Sequence, residues 1–439
     1  MAEKTTNTDT DKIDLLISHA TILTLNQSSD ILEDGWIAID NGNIIGIGQG
    51  EPKAHGRTEI NAQGKLAMPG LVNTHTHLGL SVLRGREDFK PFLSWLDTIN
   101  PLEKQLNKED VYTSSLLGGL ELIKSGTTTF NDMYFYPEST VRAANTLGLR
   151  GVVRIPLVQE QGIVGIEPSF SLNQTGGGLI TYSLAPNPLT DFSPNSLQQI
   201  AKLAEKLQIP VHLHFESDAS EKNTFQKQFK TTPFKLLEKT GIIKQRTILA
   251  HGVYLTDSEI KKLSTYPLAS VSFNPRSEYK LTTRVSPIVK LLQNNINVGL
   301  GTDGTASTNT LDLFEDMRFT AIAAGKCTTQ AWFCSNGYSL NPEKIVRMAT
   351  IDGAKTLGKD GDIGTIEVNK RADIILLDLN QPHFTPHPNL YSAIVFSAHG
   401  SDVADSIIDG RVVMRNRVVQ AVKEDEVLRT AEGISERIK

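Results

Sequence analysis

Cysteine is nearly absent: the 439 residues contain two, Cys327 and Cys334. Two thiols cannot build a disulfide framework or a cysteine-rich zinc site, so a reducing, cytoplasmic setting is expected. No apolar run approaches the ~18 residues of a membrane span. Met1 to Asp11 is polar and lacks the apolar stretch of a secretory leader. An excess of charge of either sign is also lacking. The net value is −5, and no basic stripe marks a nucleic-acid surface. No Gly-x-Gly-x-x-Gly opens a helix, which argues against a dinucleotide-binding open sheet. Repeats and low-complexity tracts are missing too. The expected partner is therefore a small molecule, with neither nucleic acid nor membrane. The 39% apolar residues, with 34 Gly and 19 Pro, describe a globular chain with many turns and enough apolar material for a large core.

Taken in order, residues 1–12 read as a disordered lead. Residues 13–50 follow as short strands separated by turns such as Asp40-Asn41-Gly42-Asn43. From residue 66 the pattern changes to strand–helix alternation. Strands are expected at 66–73, 127–132, 150–158, 179–185, 210–216, 247–254, 269–274 and 297–302. Helices are expected at 108–124, 196–207, 310–325 and 341–357, and Thr256-Asp257-Ser258-Glu259 forms a capping box. Eight such units predict an α/β fold, a (β/α)8 TIM-type barrel over 66–355. Strand-like pieces return at 364–368, 372–378, 406–409 and 411–414, before a polar terminal helix at 423–439. Residues 1–65 and 356–439 are thus expected to share one small composite β-sandwich domain.

Chemistry in a parallel barrel sits at the C-terminal ends of the strands. Of the ten histidines, the five inside the barrel segment all fall in or at the end of a predicted strand. His75 and His77 end the first strand, and their i, i+2 spacing points both rings to one face. His212 and His214 lie in the fifth and His251 in the sixth, while Asp303 follows the eighth. Nitrogen and carboxylate donors of this kind suit Zn²⁺, with Fe²⁺ or another divalent ion as alternatives. An open position would hold a water acidified by the cation. Asp303 could touch the cation and take a proton, a remaining histidine could steady the water, and a nearby glutamate could serve the leaving group. At most one of His212 and His214 need be a ligand; the other has an ordinary explanation as a packed or hydrogen-bonded neighbour.

Several stretches together resemble the amidohydrolase superfamily, in the branch of cytosine, guanine and methylthioadenosine/S-adenosylhomocysteine deaminases and triazine hydrolases. They are Pro69-Gly70-Leu71-Val72-Asn73-Thr74-His75-Thr76-His77-Leu78, Ser125-Gly126-Thr127-Thr128-Thr129, Ala250-His251, Leu300-Gly301-Thr302-Asp303-Gly304 and Gly364-Thr365-Ile366-Glu367-Val368 through Asp373. The resemblance implies one zinc per chain on His75, His77, His214 and Asp303, with His251 assisting the water and a homo-oligomer of two or more chains. Within the branch, Leu83-Arg84-Gly85, Trp95 and Glu103 are most similar to the methylthioadenosine/S-adenosylhomocysteine deaminases. This similarity makes Trp95 a pocket wall and Glu103 a contact to ribose hydroxyls. Read alone, Trp95 suits core packing and Glu103 a solvated helix start.

Three places depart from that branch. Its His-x-x-Glu becomes His214-Phe215-Glu216-Ser217, so Glu216 is the expected proton carrier after a small backbone change. Its Pro-His-Ser-Pro becomes Ala185-Pro186-Asn187-Pro188, which puts Asn187 at a substrate position. Its His-Asn/Cys-Pro-x-Ser-Asn becomes Phe273-Asn274-Pro275-Arg276-Ser277-Glu278. Arg154 and Arg276 are the candidate cations of the pocket. The expected activity is hydrolytic deamination of a purine-like or other N-heterocyclic substrate. The alternatives are hydrolysis with a non-amine leaving group, as in triazine or cyclic-amide hydrolysis, and a ligand-binding relative with weakened catalysis.

Overall fold

The structure is a computed structural model that describes residues 12–160, 163–166, 178–325 and 340–439, save 53 and 283. Most of the expected N-terminal lead and both cysteines lie outside the described residues. Eight parallel strands form one sheet in chain order: β1 (Leu71–Thr76), β2 (Thr127–Asp132), β3 (Arg150–Ile155), β4 (Ile180–Leu184), β5 (Val211–Phe215), β6 (Thr247–His251), β7 (Ser270–Phe273) and β8 (Asn297–Leu300). The barrel closes where β8 meets β1. There the Thr74 hydroxyl donates to Leu300 O at 2.9 Å, Asn73 Nδ2 donates to Thr302 Oγ1 at 2.7 Å, and Asp303 N donates to His75 O at 3.0 Å. Both faces of these strands are covered, so they read as continuous buried runs; β1, β2, β6 and β7 have no exposed position.

Local chemistry sets the helices around them. Helix Lys108–Lys124 starts on Asn107, whose side chain accepts from Glu109 N and Asp110 N, and Asp110 returns the bond to complete a capping box. Thr256 and Glu259 do the same for Asp257–Leu263. Residues 341–357 form two helices, Pro342–Met348 and Ile351–Leu357, because the chain turns at Thr350 (φ −132°, ψ −99°).

The chain ends build a second, mixed sheet of nine strands. Ile13–Leu23 pairs with Ile31–Asp40, Gly56–Asn61 and Lys65–Pro69, and Lys65–Pro69 pairs in turn with Ile374–Asp378. The expected strand 66–73 is therefore two strands in two sheets, divided at Gly70. A Cβ there would stand 2.2 Å from Thr128, so the backbone can pass from one sheet to the other only as glycine. The 364–368 segment is not a strand. Gly364 takes φ +93°, and Ile366 plugs the terminal-sheet core while its N–H donates to Thr24 O at 2.8 Å.

Candidate active site

The parallel register carries the chemistry-bearing residues to one rim. Phe215 pairs with His251 across β5 and β6, and His77 follows β1 directly. Three residues at or just past strand ends adopt left-handed backbone: Glu216 (φ +45°), His251 (φ +78°) and Asp303 (φ +61°). Each costs on the order of 1 kcal/mol for a residue with a Cβ. Such strain gathered at one rim is typical of a functional site. Gly301 lets the β8 loop press inward, since a Cβ there would meet Asn274 Oδ1 at 2.2 Å and His75 Cβ at 3.0 Å.

The histidine tautomers follow from their outer partners. His77 Nδ1 donates to Met133 O at 2.6 Å, and His214 Nδ1 donates to Asn187 Oδ1 at 3.0 Å. Each ring then presents a lone pair on Nε2, and these two atoms face each other at 3.2 Å. Asp303 Oδ1 stands 3.2 Å from His77 Nε2 and 3.7 Å from His75 Nε2, which is buried without a hydrogen-bond partner. Acceptors this close repel unless positive charge lies among them, either a proton on His77 or a cation. Burial, reinforced by the neighbouring rings, holds His75 and His214 well below the usual imidazole range, so both stay neutral and able to ligate. Burial pulls His77 down too, but the Asp303 hydrogen bond and charge outweigh it and leave His77 raised. Asp303 is pressed up by burial and pulled further down by His77, to well below the carboxylate range.

The donor set fits a divalent cation. The ligand atoms of His75, His77 and Asp303 lie within 4.8 Å of one another, as do those of His75, His214 and His251. The surrounding residues fix this set. Ser277 Oγ donates to Asp303 Oδ2, and Gly304 N donates to Oδ1 at 2.8 Å. His212, the second histidine of β5, is the hydrogen-bonded neighbour: its Nε2 lies 2.9 Å from His75 Nδ1, and burial pushes it down to about 3. Asn274 Nδ2 lies 3.3 Å from His251 Nδ1, with Glu278 Oε1 at 3.7 Å.

A cavity of about 690 Å³ opens over the cluster and takes in His77, His214, His251, Asp303, Trp95, Glu103, Asn187 and Arg154. Its size suits a small organic ligand. Phe92, Leu96, Ile99, Leu189 and Leu281 add an apolar wall. Trp95 is fixed by its indole N–H donating to Ala306 O at 3.1 Å. Glu103 is raised by burial and faces Tyr134. The Arg154 Nε has no hydrogen-bond partner among the described residues, and the guanidinium lies 5.9 Å from the Phe135 ring centre. Asn187 reaches the site chiefly through His214, orienting that ring.

Two expected site residues are placed elsewhere. Arg276 turns away from the cavity to Asp316, at 2.8 and 3.0 Å, and to Glu315, and does not line it. Glu216 is fully buried outside the cavity lining, with Oε2 3.1 Å from Lys222 Nζ. The left-handed backbone at Glu216 swings its side chain off the rim. Burial, then the Glu259 charge, pushes it up to about 8. Ser277, Glu278 and Asn274 were legible only as a departing motif after β7. Nothing at their positions signalled that they brace Asp303 and His251. Glu221, which also lines the cavity, carried no motif at all.

Comparison with known proteins agrees with this geometry. Residues 66–413 match the model of the Amidohydrolase family. A 5-methylthioadenosine/S-adenosylhomocysteine deaminase of Caldanaerobacter subterraneus is 36% identical, over 94% of this chain and 96% of that protein. A 5'-deoxyadenosine deaminase of Methanosarcina acetivorans is 36% identical, over 97% and 98%. Among solved structures, an adenosine deaminase from Xanthomonas campestris with bound zinc superposes with a TM-score of 0.86 at 27% identity, covering 98% of this chain and 99% of that one. Likeness along nearly the whole length thus joins a barrel whose rim gathers histidines and an aspartate around one point, and the chain belongs to the amidohydrolase family, whose metal-dependent hydrolytic chemistry this rim is built to perform.

Proposed function

We propose that the protein is a zinc-dependent hydrolytic deaminase that releases ammonia from a 6-aminopurine nucleoside modified at its 5' position. The observation that carries this reading is the cluster of facing acceptors: His77 Nε2, His214 Nε2 and Asp303 Oδ1, two of them 3.2 Å from His77, at the floor of an apolar-walled cavity. Two whole-length relatives at 36% identity are adenosine-type deaminases by name, and they differ from each other at the 5' group. His75, His77, His214 and Asp303 would hold the cation. Bound there, it supplies Lewis acidity and a water acidic enough to attack near neutral pH. Asp303 Oδ1, among the facing acceptors, would take a proton from such a water, and Ser277 keeps the other carboxylate oxygen occupied. His251 stands beside it as a hydrogen-bonding group for the developing oxyanion. The apolar wall around Trp95 suits a purine face or a thioether. Glu103, beside Tyr134 in the cavity lining, suits ribose hydroxyls, and Arg154 offers charge to a polar 5' extension.

The test is ammonia release by the zinc-loaded protein from 5'-methylthioadenosine, S-adenosylhomocysteine, 5'-deoxyadenosine, adenosine, guanine and cytosine. The expected result is turnover of the 5'-modified adenosines above the free bases. Release from none of the six would overturn the deaminase reading.

A further inference from the structure

Deamination needs a group that protonates the ring and receives the proton back, and among the described residues that line this cavity the carboxyl groups available for it can be counted. Asp303 is committed to the cation position. Glu278 accepts Asn274 N at 3.1 Å and Ser286 N at 2.7 Å, one on each oxygen. Asp218 caps the helix Ala219–Phe229 by accepting from Ser220 N at 2.8 Å. Asp191 is exposed, and Glu103 faces Tyr134. Glu216 lies outside the cavity lining with its carboxylate toward Lys222. Glu221 remains. It stands in the first turn of Ala219–Phe229, lines the cavity with His214, Ser217 and His251, and takes the Ser217 N–H on Oε2 at 3.2 Å.

We propose that Glu221, rather than Glu216, is the catalytic proton carrier of this site. The inference rests on the deaminase reading above. A protonated Glu221 gives its proton to the ring nitrogen as the water oxygen bonds to the adjacent amine-bearing carbon, and Asp303 takes one water proton. The carbon–nitrogen bond then breaks with its electron pair on nitrogen, which receives the proton held by Asp303 and leaves as ammonia. The remaining hydroxyl proton returns to Glu221, leaving a ring carbonyl. Burial supports the assignment: it outweighs the Glu216 and Ser217 amides and pushes Glu221 up to about 7, so both protonation states are populated near neutrality. Ser217 sits three residues after His214, and Glu221 follows one helical turn later. A carboxyl from the helix start can thus reach over the small serine.

A carboxylate that merely tied the helix start to Ser217 would affect stability and not the chemical step. The deciding experiment measures ammonia release, zinc content and melting temperature for zinc-loaded wild type, E221Q, E216Q and the S217E/E221Q double variant, with 5'-methylthioadenosine as substrate. Calorimetry on wild type and E221A with purine ribonucleoside, which has no amine to lose, gives a readout free of turnover. The expected result is a kcat about 100-fold lower in E221Q with KM and zinc content nearly unchanged. S217E/E221Q is expected to recover about tenfold, and E221A to bind purine ribonucleoside about tenfold more weakly. A kcat for E221Q within about threefold of wild type, or a loss confined to E216Q, overturns the inference. Should wild type release no ammonia from any panel member, the deaminase reading falls, and the calorimetric comparison alone decides whether Glu221 meets the ring: equal affinities overturn it.

Discussion

Two buried polar clusters lie toward opposite ends of the barrel strands and obey opposite rules. Near the start of β3, Arg150 pairs with Asp373 through Nε at 2.7 Å and Nη2 at 3.0 Å, and with Asp409 at 3.0 Å. Arg371 joins the same Asp409, and Asp409 N donates to Asp373 Oδ1 at 2.8 Å. Each of these four charges has an opposite partner, and the cluster ties the barrel to the terminal sheet. At the C-terminal rim, His75, His77, His214 and Asp303 bring acceptors together without enough donors. A paired network holds two sheets in one geometry; an unpaired one holds a place for a cation. Buried polar residues are thus uninformative by count, and what matters is whether donors balance acceptors.

The sharpest way to break this contrast is Asp303→Asn. Cation binding and turnover are expected to fall by about 10³-fold or more. The metal-free variant is nevertheless expected to melt no lower than metal-free wild type, because a neutral amide removes the negative charge from among the facing acceptors. Metal analysis and calorimetry after chelation read both halves. A metal-free variant that melts well below wild type would refute the acceptor-conflict account.

Arg150→Met addresses the other cluster. It strands Asp373 in a nearly closed site, where it is 4% exposed, and is expected to cost about 3–5 kcal/mol of stability. Turnover per folded molecule should hold. Urea unfolding beside activity measurements separates the two, and a selective loss of turnover would mean that the clusters are coupled.

The smallest effect sharpens the paired side. Lys359 lies beside Arg150, and burial, then the Arg150 charge, lowers it to about 8. The unfolded lysine keeps its proton to about 10.4. Folding therefore carries the full cost of this charge below pH 8, and stability rises with pH between those values as the folded lysine loses its proton first. Lys359→Met is expected to raise the melting temperature by roughly 2 °C at pH 7, with the gain shrinking as pH approaches 10. A constant offset across that range would show that packing rather than charge is responsible.

Much of this was legible in the chain. Helix Lys108–Lys124 lies where its apolar spacing predicted, and the eight barrel strands fall within a few residues of the alternating pattern. Gly70 hid a change of sheet, because an apolar run reads alike whichever sheet it joins. Gly364–Val368 looked like a strand by composition, but Gly364 turns the chain and Ile366 is spent as a core plug. The placement of Arg276 was illegible for a different reason: its partners Glu315 and Asp316 come from a helix about forty residues later.

Sequence by itself determined the barrel and its reactive rim. Strand periodicity fixes which side chains share a face, and parallel strands deliver their C-terminal ends to one side, so His75, His77, His214, His251 and Asp303 could only converge. Tertiary structure decided which groups surround the reacting atoms. A left-handed turn at Glu216 and a helix starting at Ala219 exchange one carboxylate for another at the cavity wall, and Asn187 turns to hold His214. Such choices depend on backbone dihedrals at loop residues and on partners distant in the chain, which local residue patterns do not encode.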